Sequence, residues 1–345
     1  MKKTFVWKMS VLTVALCALL PSVAIQAKTA PIVLAYYTPD TDSYNSLKKF
    51  HASFNQVSTD TFNTDAKGNL VGDIPTQAVS YANSNNLTTY ALVSNYGATD
   101  WDPNIAHKVL TNTTYRAKLI NNMFNLVKNN NYKGINVDFE GFLSSDRDAY
   151  TSFVKDVAAK MKAAGYKTMV SVPAKSVDDP NDSWSYVTDY DKLGQYADYI
   201  QVMTYDEHGT WSDPGSVSSK PWIESSLAYA VAHVPANKVI MGIPEYGNDW
   251  NLTNADQSGW LNWKDVAALL AKTKATPVRD TASGSMKFTY KAADGSKHEV
   301  WYEDATSIKE KTHYTITYGI AGVSVYALGH EDANFWAAIN AGLQP

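Results

Sequence analysis

Hydrophobic positions in this chain recur with two periods. Short runs with alternating or continuous apolar residues lie at 32–37, 54–62, 88–96, 134–140, 168–174, 199–205, 238–246 and 322–328. Each has the length and composition of a strand, and longer stretches of helical period separate them. Eight strands with intervening helices predict the α/β class and a (β/α)8 TIM barrel, not an open doubly wound sheet. The clearest helix follows the fourth strand. Ser145 is its expected cap, with Asp148 three residues on, and Gly165 ends it. Its apolar stripe is Tyr150, Phe153, Val154, Val157, Ala158 and Met161. One region breaks the rhythm. Phe288 and Tyr290 alternate, Asp294-Gly295 follows, then Val300 and Tyr302, which is a hairpin signal. A small β-rich insertion is therefore expected at about 274–302, before the last strand. A helix from about 303 to 318, stopped by Gly319, leads into that strand.

The first 27 residues read as a secretory signal peptide. Lys2, Lys3 and Lys8 surround the start of an apolar run, and small residues lead to cleavage after Ala24 or Ala27. The expected location is outside the cytoplasm: extracellular, periplasmic or at the cell wall, with no stable membrane insertion once the leader is removed. The 28–345 remainder would form one catalytic barrel, expected as a monomer. Cys17, the one cysteine, falls in the leader, so the mature chain has no thiol and must rest on a large hydrophobic core. Removing the leader leaves 27 basic against 34 acidic residues, a net charge of −7, and no basic patch. That argues against nucleic acid as a partner. The 22 Tyr and ten Trp suit a sugar-binding surface, although a large core also uses many aromatics.

The stretch that decides the chemistry is Gly134-Ile135-Asn136-Val137-Asp138-Phe139-Glu140. At period two, Ile135, Val137 and Phe139 share one face, and Asn136, Asp138 and Glu140 the other. In a parallel sheet both faces are covered, so three successive polar side chains are costly to bury without a task. The alternative is a solvated antiparallel edge strand. Two carboxyls two residues apart sit about 6–7 Å from each other. Like charges that close, partly desolvated, hold one group protonated near neutral pH, which is how a general acid arises. In the sixth strand Gln201, Met203 and Tyr205 share a face and Asp206 marks the end. A tyrosine there is otherwise a packing residue.

These residues resemble the family 18 glycoside hydrolases. Gly134, Asp138 and Glu140 match the strand-four signature Asp-Gly-x-Asp-x-Asp-x-Glu, with Lys133 replacing the first Asp and Asn136 the second. The Asn-x-Asp-x-Glu form looks like the branch that contains spore-germination and cortex-lytic hydrolases. Met203-Thr204-Tyr205-Asp206 matches the family's Met-x-Tyr-Asp, and Met241 to Gly247 is similar to its strand seven, where Tyr246 would line the cleft. Tyr326 stands where the family usually has a Trp beneath the cleaved sugar. The resemblance spans roughly residues 31 to 340.

The resemblance implies a secreted hydrolase of β-1,4-linked N-acetylglucosaminyl glycans, chitin or peptidoglycan, acting with retention and without a cofactor. Most glycosidases place a second carboxylate across the scissile bond; the exception uses the sugar's own 2-acetamido group. By resemblance Glu140 is the acid, Asp138 holds the acetamide N–H, and Tyr205 positions the acetamide with Asp206 behind it. Asn136, Tyr36, Gln201, Met203, Asp206, Tyr246 and Tyr326 are the expected substrate-binding positions. Trp101, Trp184, Trp211 and Trp250 follow strands three, five, six and seven, as stacking platforms or as packing residues. The rival from another class is an inactive glycan-binding protein on the same barrel. Asp206-Glu207-His208 imitates a metal cluster, but adjacent strand residues point alternately in and out, so no metal is expected.

Overall fold

The computed structural model describes residues 1–4 and 30–345. By contacts the chain divides into Met1–Ala30 and one compact unit, Pro31–Pro345. The residues of the apolar run expected to form a signal peptide lie outside the described ones.

The compact unit is a closed barrel of eight parallel strands: β1 Ile32–Tyr37, β2 Gln56–Thr64, β3 Thr88–Ser94, β4 Gly134–Asp138, β5 Lys167–Pro173, β6 Tyr199–Met203, β7 Val239–Pro244 and β8 Gly322–Tyr326. Closure is through β1, which pairs with β2 (Leu34 opposite Gln56) and with β8 (Ile32 opposite Gly322). Leu70–Gly72 adds a short antiparallel strand beside β2.

The period-two pattern sorts the side chains into two cores. Val33, Ala35, Ile135, Val137, Phe139, Val170, Val172, Ile200, Val202, Val323 and Val325 face outward and pack under the helices. Leu34, Tyr36, Tyr90, Leu92, Met169 and Ile240 fill the barrel. Strand β4 is held from behind by aromatic packing. Phe139 lies 5.6 Å from Phe153 and 6.2 Å from Tyr150, both on the helix Arg147–Ala163. Truncating such a residue to Ala costs about 3–5 kcal/mol. The hydrophobic stripe of that helix therefore fixes where Asp138 and Glu140 point.

Several element boundaries differ from the sequence expectation. Glu140 is not the last residue of its strand: β4 ends at Asp138, and Glu140 stands two residues beyond. Strand β6 likewise ends at Met203, two residues before Tyr205. Ser145 does not cap the following helix. Ser144–Asp146 form a single 3-10 turn, and the Asp146 carboxylate is bonded to His107 Nδ1 at 2.7 Å instead. Gly165 does end that helix, at φ +80°.

The insertion is larger than the hairpin signal alone implied. It is a five-stranded antiparallel sheet in the order 259–262, 246–251, 297–302, 286–291, 278–279, and it begins at Tyr246, immediately after β7. Tyr-Gly-Asn-Asp-Trp-Asn has almost no β-branched alternation, so its strand is set by pairing, not by propensity. The Asp294-Gly295 turn is where it was expected, with Gly295 at φ +90°. The helix Trp263–Thr273 covers one face through Val266, Leu269 and Leu270. Beyond the sheet, the helix expected at 303–318 is two pieces, Ala305–Thr312 and Tyr314–Thr317, the first started by an Asp304–Ser307 capping box.

Candidate active site

The carboxyl ends of the strands gather the candidate residues at one mouth. Asp138 closes β4, and Glu140 follows it, only 8% exposed. Its backbone is clamped from both sides by Asn95, just past the end of β3. The Glu140 N–H donates to Asn95 Oδ1 at 2.8 Å, and Asn95 Nδ2 donates to the Glu140 carbonyl at 2.7 Å. This double bond aims a residue that lies outside the ladder. Asn95 is fully buried and was not singled out in the sequence, where a lone Asn at a strand end is unremarked.

Carboxyl groups dominate the charge at the mouth. Burial, then the charge of Asp138 and then that of Asp206, pushes Glu140 well above the ordinary glutamate range, while Trp184 beside it pulls weakly the other way. Burial, then the charge of Asp60, pushes Asp138 up to about 7. Asp138 Oδ1 is covered and has no hydrogen-bond partner among the described residues. A buried acceptor without a donor is costly, and such groups call for an explanation. A protonated carboxyl beside an unpartnered carboxyl oxygen can give a proton to one atom of a ligand and accept an N–H from another.

Tyrosines wall the rest of the mouth. Tyr205 is 6.4 Å from Tyr246 and 6.1 Å from Tyr326 between ring centroids, and Tyr36 is 5.6 Å from Tyr326. Gly242 in β7 makes room for Tyr205: a Cβ there would meet the Tyr205 ring at 2.6 Å. Asp206 turns the chain in the left-handed region at φ +67°, and Tyr246 donates to its Oδ1 at 2.5 Å. The Tyr326 hydroxyl donates to Asp60 Oδ2 at 3.3 Å.

Three of the expected substrate-binding positions lie deeper than the rest. Asn136, Tyr36 and Gln201 lie beneath the mouth, at most 2% exposed, and support it from below. Asn136 Oδ1 accepts from the Tyr36 hydroxyl at 3.1 Å and from Ser58 Oγ at 3.2 Å, and its Nδ2 donates to Ser171 Oγ at 2.9 Å. Gln201 Nε2 donates to Ser324 Oγ at 3.0 Å. The Asn136 amide is satisfied through both donor and acceptor, as a carboxylate there would not be, whereas Gln201 Oε1 has no partner among the described residues. Met203 and Tyr326 remain partly open at the mouth.

The tryptophans divide. Trp184 and Trp211 are exposed, and Trp101 is partly so. Trp184 rides on the 174–189 loop, which the buried Lys175 holds by donating to the carbonyls of Ser185 and Thr188 at 3.2 and 2.7 Å. Trp250 is not a platform. It is 3% exposed, and its indole N–H reaches the carbonyls of Gly209 and Ser212 at 3.1 and 3.0 Å, tying the insertion to the loop after β6. The residue that sequence reasoning missed is Trp260, 52% exposed and stacked on Tyr246 at 4.3 Å and 8°. Glu207 is spent on Ser219, whose N–H and hydroxyl it accepts at 2.6 and 2.8 Å at the start of the helix Lys220–His233. That removes it from any cluster with His208.

Against known proteins, residues 32–331 match the family described as glycosyl hydrolases family 18. The "uncharacterized glycosylase YvbX" of Bacillus subtilis is 46% identical over 319 residues, which cover 92% of this chain and 93% of that protein. A crystal structure of a chitinase from Chromobacterium violaceum is 40% identical and superposes with a TM-score of 0.88, covering 92% of this chain and 100% of that one. The Bacillus cereus spore cortex-lytic enzyme SleL shares the fold at 23% identity and a TM-score of 0.86, over 91% of this chain and 75% of its own. The chain belongs to family 18 of the glycoside hydrolases.

Proposed function

We propose that the protein is a secreted hydrolase of β-1,4-linked N-acetylglucosaminyl glycans, and that the substrate's 2-acetamido group acts as the internal nucleophile. The observation that carries this is the pairing, within three residues, of a Glu140 carboxyl that burial pushes well above the ordinary glutamate range with an Asp138 oxygen that has no partner among the described residues. Glu140 gives its proton to the leaving oxygen. Asp138 accepts the acetamide N–H, orients the carbonyl oxygen toward the anomeric carbon, and balances the charge of the cyclic oxazolinium ion. Tyr205 packs against the acetamide and is backed by Tyr246 and Tyr326. Water then opens the ring with Glu140 as base, and two inversions retain configuration.

The exposed tryptophans support a polymeric ligand, since flat rings stack on sugar faces. The 40% identity to a protein named as a chitinase supports chitin oligomers as a substrate, and the 27% identity to a cortical fragment-lytic enzyme of Bacillus anthracis supports peptidoglycan beside them. Preorganised internal attack supplies roughly 7–11 kcal/mol of a barrier, which one acid cannot replace. Glucose-only oligomers should therefore bind weakly and hardly turn over, and a thiazoline analogue of the oxazolinium ion should inhibit. By NMR the first product should be the β anomer. An α-anomeric first product, or rapid hydrolysis of a glucose-only oligomer, overturns the mechanism. Parallel digestion of chitin oligomers and purified peptidoglycan, with product masses, identifies the polymer.

A further inference from the structure

We propose that Asp60 is a positioning residue for this reaction: a second carboxyl that answers Asp138 from β2 and takes the place of the one that Asn136 removes from β4. The inference rests on the roles given above to Glu140 and Asp138. The barrel interior is layered. On β2 the inward positions are Ser58 and then Asp60; on β4 they are Asn136 and then Asp138. The lower pair already meets across the barrel, since Ser58 Oγ donates to Asn136 Oδ1 at 3.2 Å. Asp60 and Asp138 each stand two residues nearer the mouth, one layer up. At Asp60 the pairing of β2 with β3 slips by one residue, a bulge between Asp60 and Phe62. Bulges beside active sites re-aim side chains.

Asn136 cannot do the work of a carboxyl. It is neutral, and Tyr36, Ser58 and Ser171 use its amide fully. Asp60 has one partner, the Tyr326 hydroxyl at 3.3 Å, and remains partly open to the mouth. The titratable groups around it are Tyr326 from β8, Tyr36 from β1, and Asp138 and Glu140 from β4 and the turn after it. Among the described residues, no cationic group acts on Asp60 or Asp138. Two carboxyls in such a place keep one proton between them. As positive charge develops on the acetamide, that proton settles on Asp60 and leaves Asp138 as the anion. When water reopens the ring, the proton redistributes over the pair, and none enters or leaves.

The test is kcat/KM against pH on a fluorogenic chitobioside for wild type, Asp60→Asn, and Asp60→Asn combined with Asn136→Asp. Removing the Asp60 charge lets Asp138 and Glu140 ionise at lower pH. Both limbs of the profile should move to the acid side by about one pH unit, about a ten-fold loss on the alkaline limb. The second substitution returns a carboxyl beneath Asp138 and should bring the profile back toward wild type. A fall in kcat that is even across pH, or no rescue by Asn136→Asp, overturns the proposal. If Asp60→Asn does not fold, Asn136→Asp alone decides: a third carboxyl should move the acid limb to higher pH, and an unmoved profile overturns the idea. Glu140→Gln, run beside these, separates the two readings. If it stays active the assignment of the acid falls; if it is dead and the Asp60 profile is unmoved, only the Asp60 role falls.

Discussion

Tyr246 donates its phenolic hydrogen to Asp206 Oδ1 across 2.5 Å, joining the first residue of the inserted sheet to the turn after β6. Asp206 holds a left-handed backbone at φ +67° to meet it. Strain of that kind persists only where the surroundings enforce it. The same Tyr246 ring carries Trp260 on its outer face, so one tyrosine links the insertion, the Tyr205 wall of the mouth and an exposed indole.

Tyr246→Phe removes the donor while keeping the ring. Loss of solvent at the mouth pushes the Asp206 carboxyl above the ordinary aspartate range, and the Tyr246 hydrogen bond pulls it back. Losing that bond raises Asp206 further, so the acid limb of kcat/KM should move to higher pH. Hydrogen bonds to charged groups contribute about 1.5–3 kcal/mol, and the open rim places this one at the low end, about a ten-fold loss. An unchanged pH profile would remove Asp206 from the support of Tyr205.

Glu140→Gln keeps the side-chain shape and the Asn95 clamp, which acts on backbone atoms, and removes the proton. General acid catalysis is worth about 10²–10⁴-fold. Hydrolysis of an unactivated oligomer should fall by at least that lower figure, while calorimetric binding of the oligomer persists. A variant that keeps more than about a tenth of the wild-type rate would take the acid's role away from Glu140.

The strand leading to the proposed acid was legible in the sequence because its two faces differ in kind. Ile135, Val137 and Phe139 pack outward under the helices and Asn136, Asp138 and Glu140 turn inward, as the alternation requires. What could not be read were residues whose task depends on a neighbour distant in sequence. Asn95 looks like any polar strand end until β4 lies beside it. Asp60, in Gln-Val-Ser-Thr-Asp-Thr, looks like the wet face of an edge strand until the barrel closes. The tryptophans show the same limit: position after a strand puts Trp250 and Trp211 at the mouth alike, yet one ring is buried and the other open. The inserted sheet begins at Tyr246, where local propensity favours no strand, so only the 286–302 hairpin was visible.

Asp138 also predicts how stability depends on pH. Its folded value of about 7 lies above the ordinary 3.8, so the folded chain holds a proton that the unfolded chain has released. Stability should therefore fall as pH rises from about 4 to about 7, with the full penalty in place above that. Asp138→Asn removes the penalty at the expense of activity. Its Tm should exceed the wild type's by about 2 °C or more at about pH 8, and the difference should vanish near pH 4. A gain of equal size at both pH values would trace the effect to packing instead of charge.

Trp260 and Trp250 make opposite predictions, although both sit on the inserted sheet. Trp260 presents an open face beside the mouth, backed by the Tyr246 ring at 4.3 Å, so a sugar can stack on its outer side. A stacked ring contributes to binding of a long glycan and nothing to the chemistry at Glu140. Trp260→Ala should raise KM for a long chitin oligomer by about ten-fold, within the 0.5–1.5 kcal/mol that aromatic contacts add beyond area burial. It should leave kcat nearly unchanged, and KM for a substrate too short to reach the ring should not move. Trp250 is buried, and its N–H holds the carbonyls of Gly209 and Ser212. Trp250→Phe should lower Tm and disorder the loop after β6, reducing kcat on long and short substrates alike. The measurement is a set of Michaelis curves against oligomer length with thermal unfolding of each variant. If Trp260→Ala weakens short and long substrates equally, the ring is part of the wall of the acetamide site and not a platform beyond it.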